Sequence, residues 1–149
     1  MKFAIVAMCC AIGYCIGLFV QKKSLEQLKF FQAWNNYVLA LKNNLGGKCL
    51  PMDLFNKEFC CDNDCAEFCK MLETQRAPKF LDSASALQFR ALATLHQNKS
   101  KQQMLQQLEQ MQPFVGNLLL EKQKQSSKQK SVYCQVGFLF GFLVGMLFV

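Results

Sequence analysis

The stretch "SLEQLKFFQAWNNYVLALKNNL" (residues 24–45) decides the fold, because its apolar side chains recur at steps of three and four residues. This spacing lines one stripe of a helix with Leu25, Leu28, Phe31, Trp34, Val38, Leu41 and Leu45. Ser24 and Gln27 have the spacing of a capping box, in which each side chain accepts a hydrogen bond from the other residue's backbone N–H. We therefore expect a helix that begins at Ser24 and ends at Gly46 and Gly47.

The chain that follows predicts three short helices. Pro51 suits a first helical turn, because its missing N–H would have no partner there, and a helix should run from it to Phe59. Asp62 or Asn63 can cap the next helix. That helix should carry inward Cys65, Phe68, Cys69 and Leu72, before Pro78 breaks the pattern. A further helix over 82–96 should bury Ala84, Leu87, Leu92 and Leu95.

From Ser100 onward the chain is rich in glutamine and lysine, with apolar residues spaced alternately four and three apart. They form a short heptad seam of Met104, Leu108, Met111, Val115 and Leu118. Pro113 lies off this seam and should kink the helix without removing its packing face. No segment alternates as a strand would. The sequence predicts an all-α protein.

Both ends of the chain are apolar runs, residues 3–20 and 132–149, and each would form a helix about 27 Å long. This length matches the hydrocarbon core of a bilayer, so we predict two terminal transmembrane helices. The first run could instead be a secretory signal, but Lys2 is the only basic residue before it and no A-x-A-like exit follows. Residues 21–131 should form one helical bundle between the spans.

The basic residues predict the orientation of these spans. All of the 17 Lys and Arg except Lys2 lie between the two runs, and so do all 10 acidic residues. The lysines cluster at the predicted membrane surfaces as Lys22, Lys23, Lys122, Lys124, Lys128 and Lys130. Basic loops stay in the cytoplasm, so the bundle should be cytoplasmic and both termini extracytoplasmic. Anionic lipid explains these charges better than nucleic acid, since no Arg-rich or aromatic-interleaved face accompanies them.

Glycines recur every four residues in both runs, at Gly13 and Gly17 and at Gly137, Gly141 and Gly145. Helices in lipid associate by close van der Waals approach, which residues without bulk permit. We predict two packing faces. They either pack against each other within one molecule or join copies of the chain in a homo-oligomer.

The sequence offers no catalytic constellation and no cofactor motif, so we expect a protein that is not an enzyme and has no cofactor. Its one histidine, His96, suits a favourable charge at a helix C-terminus better than a general base. Asp62 and Asp64 suit helix capping. The cysteines of "CCDNDCAEFC" leave metal binding open, at Cys60, Cys61, Cys65 and Cys69. They lack the C-x-x-C spacing of most zinc sites and are better explained as small buried side chains.

The order of these features resembles the stage III sporulation protein AB family over the whole chain. The matching features are Gly17-Leu18-Phe19 at the end of the first span, the "LEQL" helix, "GGKCLPMDLF" and the lysine-rich helix that leads into "VYCQVGFLFG". Within them, Leu50, Pro51 and Leu54, and Tyr133 four residues before Gly137, are the most specific. The cysteines of "CCDNDCAEFC" are not part of the resemblance.

The resemblance implies a component of the channel-like assembly that links mother cell and forespore in endospore formation. The family is similar to inner-membrane platform subunits of type II secretion machines, which work beside a secretion-type ATPase and other membrane proteins. Two alternatives stay open: a small holin-like pore-forming protein, and a membrane-anchored metal or redox sensor built on the cysteines.

Overall fold

The computed structural model describes residues 2–47, 50–61, 63–95 and 100–147. Over these ranges every regular element is a helix, which confirms the all-α prediction. The helices are α1 (Lys2–Gly46), α2 (Met52–Phe59), α3 (Asn63–Glu73), α4 (Ser83–Ala93) and α5 (Lys101–Leu147).

The chain divides into two compact units. The terminal unit comprises Met1–Leu28 and Leu120–Val149, and the central unit comprises Lys29–Leu119. The predicted bundle of residues 21–131 contains the whole central unit and extends past it at both ends. Long α1 and α5 each contribute one part to each unit.

The predicted helix start at Ser24 is wrong. α1 is continuous from Lys2 to Gly46, so Ser24 lies inside a helix and does not cap one. The physical reason is that no helix breaker separates the N-terminal apolar run from the amphipathic stripe, since Gln21, Lys22 and Lys23 all favour helix. The predicted end is confirmed, because α1 stops at Gly46.

The buried stripe of α1 forms the middle of the core in the central unit. Phe31, Trp34, Val38 and Leu41 are all buried, as their spacing predicts. Leu28 and Leu45 are half-buried, and Leu25 is exposed. The predicted stripe is therefore correct over its middle and loses contact with the core toward its N-terminal end.

Aromatic rings fill much of this core. The ring of Trp34 packs edge to face on that of Phe89, with 5.6 Å between the ring centroids, and stacks on that of Phe31, with 6.3 Å between the centroids. Phe30 contacts Phe68 at 5.5 Å and Phe89 at 5.7 Å. Such pairs contribute about 0.5–1.5 kcal/mol each beyond the area that they bury. No described residue accepts a hydrogen bond from the buried Nε1–H of Trp34.

Helix α3 packs as predicted. Its inner face buries Cys65, Phe68, Cys69 and Leu72. Its C-terminus closes with the N–H of Gln75 donating to Leu72 O at 3.1 Å and that of Arg76 donating to Met71 O at 3.2 Å. This is a Schellman motif, and its left-handed position is taken by Gln75 at φ 53°.

The predicted inner face of α4 is only half correct. Leu92 and Leu95 are buried, but Ala84 is exposed and Leu87 is 68% exposed. The helix instead buries Ser85 and the ring of Phe89, whose large apolar surface decides which side faces the core. Asp82 caps the helix, accepting a hydrogen bond from the N–H of Ser85 at 3.3 Å. Hydrogen bonding from Ser85 lowers the pKa of the Asp82 carboxyl.

The heptad seam of α5 is confirmed. Leu108, Met111 and Val115 are buried, while Met104 and Leu118 pack against the core and are half-buried. Pro113 lies inside the helix on an exposed position. On the same helix, Gln112 Oε1 accepts a hydrogen bond at 3.2 Å from Lys42 Nζ of α1.

Candidate functional site

Asn44, near the C-terminus of α1, is a buried polar residue of the central unit. Its Nδ2 donates to the carbonyl oxygen of Leu50 at 3.1 Å, and its Oδ1 accepts from the N–H of Leu50 at 2.9 Å. One buried side chain thus satisfies both backbone groups of a residue beyond the helix end. This clamp fixes the point at which the chain turns from α1 into α2. Lys48 and Cys49 lie outside the described residues.

Helix α2 is held against α1 by Tyr37 and two phenylalanines. The Tyr37 hydroxyl donates to Asn56 Oδ1 at 2.9 Å. The rings of Phe55 and Phe59 lie 5.6 and 5.2 Å from the tyrosine ring. Burial raises the pKa of Tyr37, so its hydroxyl keeps the proton that it donates to Asn56.

A pocket of about 490 Å³ opens between the end of α1 and α2. Its lining is mostly apolar and consists of Ala40, Asn43, Asn44, Gly47, Leu50, Phe55, Glu58 and Phe59. Among the described residues of this lining, Glu58 is the charged one. Because Asn44, Leu50 and Phe55 also belong to the contacts that hold α2, the shape of the pocket depends on how α2 docks.

The cysteine candidates lie at the junction of α2 and α3, where two of them are bonded. Cys60 follows α2 and forms a disulfide with Cys69 of α3. Cys65 is buried one turn before Cys69, and Cys61 is an exposed free thiol whose Sγ lies 3.2 Å from Lys57 O. Within the described residues no three His, Cys, Asp or Glu side chains are grouped to hold a metal ion. The interpretation of these cysteines as small buried side chains fits Cys65 and Cys69, is wrong for the exposed Cys61, and did not include the bond between Cys60 and Cys69.

The terminal unit exposes many apolar side chains. On α1 they include Met8, Ile12, Ile16 and Phe19, which line an apolar groove of about 420 Å³. On α5 they include Val132, Val136, Leu139, Phe140, Leu143 and Met146. No helix, taken over its described residues, holds a stretch both long and apolar enough to cross a membrane. The predicted spans, residues 3–20 and 132–149, include side chains outside the described set, and they stay a prediction.

The glycines of the first apolar run are less exposed than the residues beside them. Gly17 is buried and Gly13 is half-buried, whereas Ile16 and Leu18 are exposed. The structure does not describe how exposed Gly137, Gly141 and Gly145 are. The two terminal segments belong to one compact unit, which is the arrangement expected if the predicted faces pack within one molecule.

The predicted membrane-surface lysines are mostly exposed. Lys22, Lys23, Lys124 and Lys128 are exposed, and Lys122 is half-buried with its Nζ 3.3 Å from Gln125 Oε1. The side chains of Lys130 and Asp64 are outside the described part of the chain. His96 and Asp62 are outside it as whole residues.

Sequence reasoning missed Asn44 and the Tyr37–Asn56 pair. A signal for Asn44 exists, because it lies three residues after Leu41 and therefore on the same side of the helix as the buried stripe. An asparagine there must find hydrogen-bond partners, and a helix end supplies them. Asn56 does not lie on a comparable apolar stripe, so the sequence gives no signal for its contact with Tyr37.

The chain matches no protein-family model, no curated protein and no solved structure.

Proposed function

We propose that this chain is a membrane-anchored, non-enzymatic platform component of the channel-like assembly between mother cell and forespore in endospore formation. The membrane anchoring in this proposal is supported by the exposed apolar surface of the terminal unit and the terminal apolar runs of the sequence, and the sporulation role by the resemblance to the stage III sporulation protein AB family. Exposed apolar surface of this extent is unfavourable in water and is typical of membrane or protein contact. Lipid is the occupant that suits two apolar runs flanked by lysines.

The central unit supports the same proposal. Its aromatic core and hydrogen-bonded helix junctions would give a platform a folded unit on which a partner could dock. A holin-like protein needs two spans and a basic segment, and has no use for a packed unit of this size. In this proposal, the central unit lies in the cytoplasm and presents a surface to a secretion-type ATPase.

Deleting the gene in its native, spore-forming host tests this proposal. We expect vegetative growth to continue and endospore formation to arrest, with rescue by the intact gene. We also expect the tagged chain to co-purify with a secretion-type ATPase from sporulating membranes. Normal sporulation in the deletion strain would contradict the proposal, and leakage of membranes on expression of the chain alone would favour the pore-forming alternative.

The glycine face offers a second arm of the test. Gly17→Ile adds a branched side chain at a buried position of the terminal unit and should weaken the packing of the two terminal segments against each other while leaving membrane insertion intact. Leu18→Ile, at the exposed neighbouring position, is the matched control and should pack like the parent. Equal crosslinking between the two terminal segments of both variants in detergent would remove the packing role of the glycine.

A further inference from the structure

Four cysteines lie along the α2–α3 segment, and two of them are bonded to each other. The disulfide pairs Cys60, at the C-terminal cap of α2, with Cys69 on the inner face of α3. Their Cα atoms are 6.4 Å apart, inside the usual range for a bridge. Cys60 is half-buried, whereas Cys69 is 5% exposed. Cys60 is therefore the more exposed residue of the bonded pair.

The bridge joins α2 to the centre of the core. Cys69 follows Phe68, whose ring lies 5.6 Å from that of Tyr37 and 5.8 Å from that of Phe89. Helix α2 has only eight residues, well below the length of about 12–15 at which an isolated helix is even marginally stable. Its position therefore depends on tertiary contacts, namely the rings and hydrogen bond of Tyr37, the Asn44 clamp before it and the disulfide at its C-terminal end.

We propose that Cys60 and Cys69 form a redox modification site, in which reversible thiol–disulfide exchange with a low-molecular-weight thiol sets how tightly α2 is held against α1. The pocket between α1 and α2 is lined by Phe55, Glu58 and Phe59 of α2, so the state of the bond changes that pocket. This inference goes beyond the proposed function and does not rest on it. If the central unit is cytoplasmic, the open dithiol is its resting form and oxidation closes it.

The exchange is balanced with glutathione disulfide as the oxidant. The Cys60 thiolate attacks one sulfur of glutathione disulfide, forming a mixed disulfide and releasing one glutathione thiolate, which takes up a proton. The Cys69 thiolate then attacks Cys60 Sγ, forming the bridge and releasing the second glutathione. The two cysteines are oxidised by two electrons and one glutathione disulfide is reduced to two thiols. Excess reduced glutathione reverses both steps.

Thiol trapping in the full-length chain in mild detergent tests the proposal. The protein is equilibrated in glutathione buffers from fully oxidised to millimolar reduced, quenched with acid and alkylated after denaturation. Cleavage after Lys and Glu separates residues 59–67 from residues 68–70, so a bridge to Cys69 appears as two joined fragments. We expect the joined fragments in oxidised buffer, alkylated Cys60 and Cys69 in reduced buffer, and reversal on exchange. A pair that stays bridged in reduced glutathione, or stays open in oxidised glutathione, overturns the proposal.

Fluorescence of the single tryptophan, Trp34, reads the structural consequence, because that residue is fully buried in the central unit. Opening a loop of about ten residues should lower the midpoint of its thermal transition by about 10–20 °C. Cys60→Ser should abolish this redox dependence, and Cys61→Ser, at the exposed neighbouring thiol, should keep it. A Cys61→Ser variant that loses the shift, or a parent with equal midpoints in both buffers, would refute the coupling.

Discussion

Replacing Asn44 by alanine should destabilise the central unit through one identified contact. The substitution removes two hydrogen bonds, at 3.1 and 2.9 Å, to the carbonyl and N–H of Leu50. Each contributes about 0.5–1.5 kcal/mol net, so the expected loss is about 2 kcal/mol. That corresponds to roughly a thirty-fold change in the folding equilibrium and to a fall of about 8–16 °C in Tm. Because Leu50 is half-buried, water can replace only part of the hydrogen bonding that its backbone groups lose.

The assay is denaturant unfolding of the full-length chain in mild detergent, followed by the fluorescence of Trp34. Asn43→Ala is the matched control, since Asn43 is exposed and also lines the pocket. It should change the midpoint little. Asn44→Asp keeps the acceptor for the N–H of Leu50 but loses the donor, and should fall between the two. If Asn44→Ala and Asn43→Ala unfold at the same denaturant concentration, the clamp does not hold the junction and the reasoning is wrong.

Three further predictions use the same fluorescence assay. Phe31→Ala should cost about 3–5 kcal/mol, because it empties a ring-sized volume beside Trp34, and an unchanged midpoint would remove Phe31 from the core. Gln75→Gly should stabilise by about 1 kcal/mol by relieving a left-handed backbone, whereas Thr74→Gly in the same turn should not. The Asp82 carboxyl has a lowered pKa, so its cap contributes stability above about pH 4 and loses it as pH falls. The gap in Tm between the parent and Asp82→Ala should therefore close in acid, and a constant gap would contradict the charge effect.

The sequence predicted most of the helices because periodicity reports burial directly. The middle of the α1 stripe and the seam of α5 are predicted correctly, since each depends on apolar residues that repeat on one helix face. The start at Ser24 failed because a capping box is a local signal, and it forms only where the preceding residues leave the helix. On α4 the apolar spacing fitted two faces, and only packing of Phe89 against Trp34 and Phe68 decides between them.

The candidate site was harder to predict because its contacts join one structural element to another. The hydroxyl of Tyr37 meets Asn56 where α2 packs on α1, and Cys60 meets Cys69 where the end of α2 approaches α3. Sequence spacing could place Cys65 and Cys69 on one helix face. It could not show that Cys60, beyond the end of a different helix, approaches that face.

The most direct test of the central claim is the topology of the chain in a membrane. Alkaline phosphatase, active only outside the cytoplasm, and a fluorescent protein that matures only inside it are fused in turn after Val149 and within the central unit. The platform proposal predicts phosphatase activity for the C-terminal fusion and fluorescence for the central one. Fluorescence from the C-terminal fusion, or recovery of the chain free of membranes after gentle lysis, would contradict it.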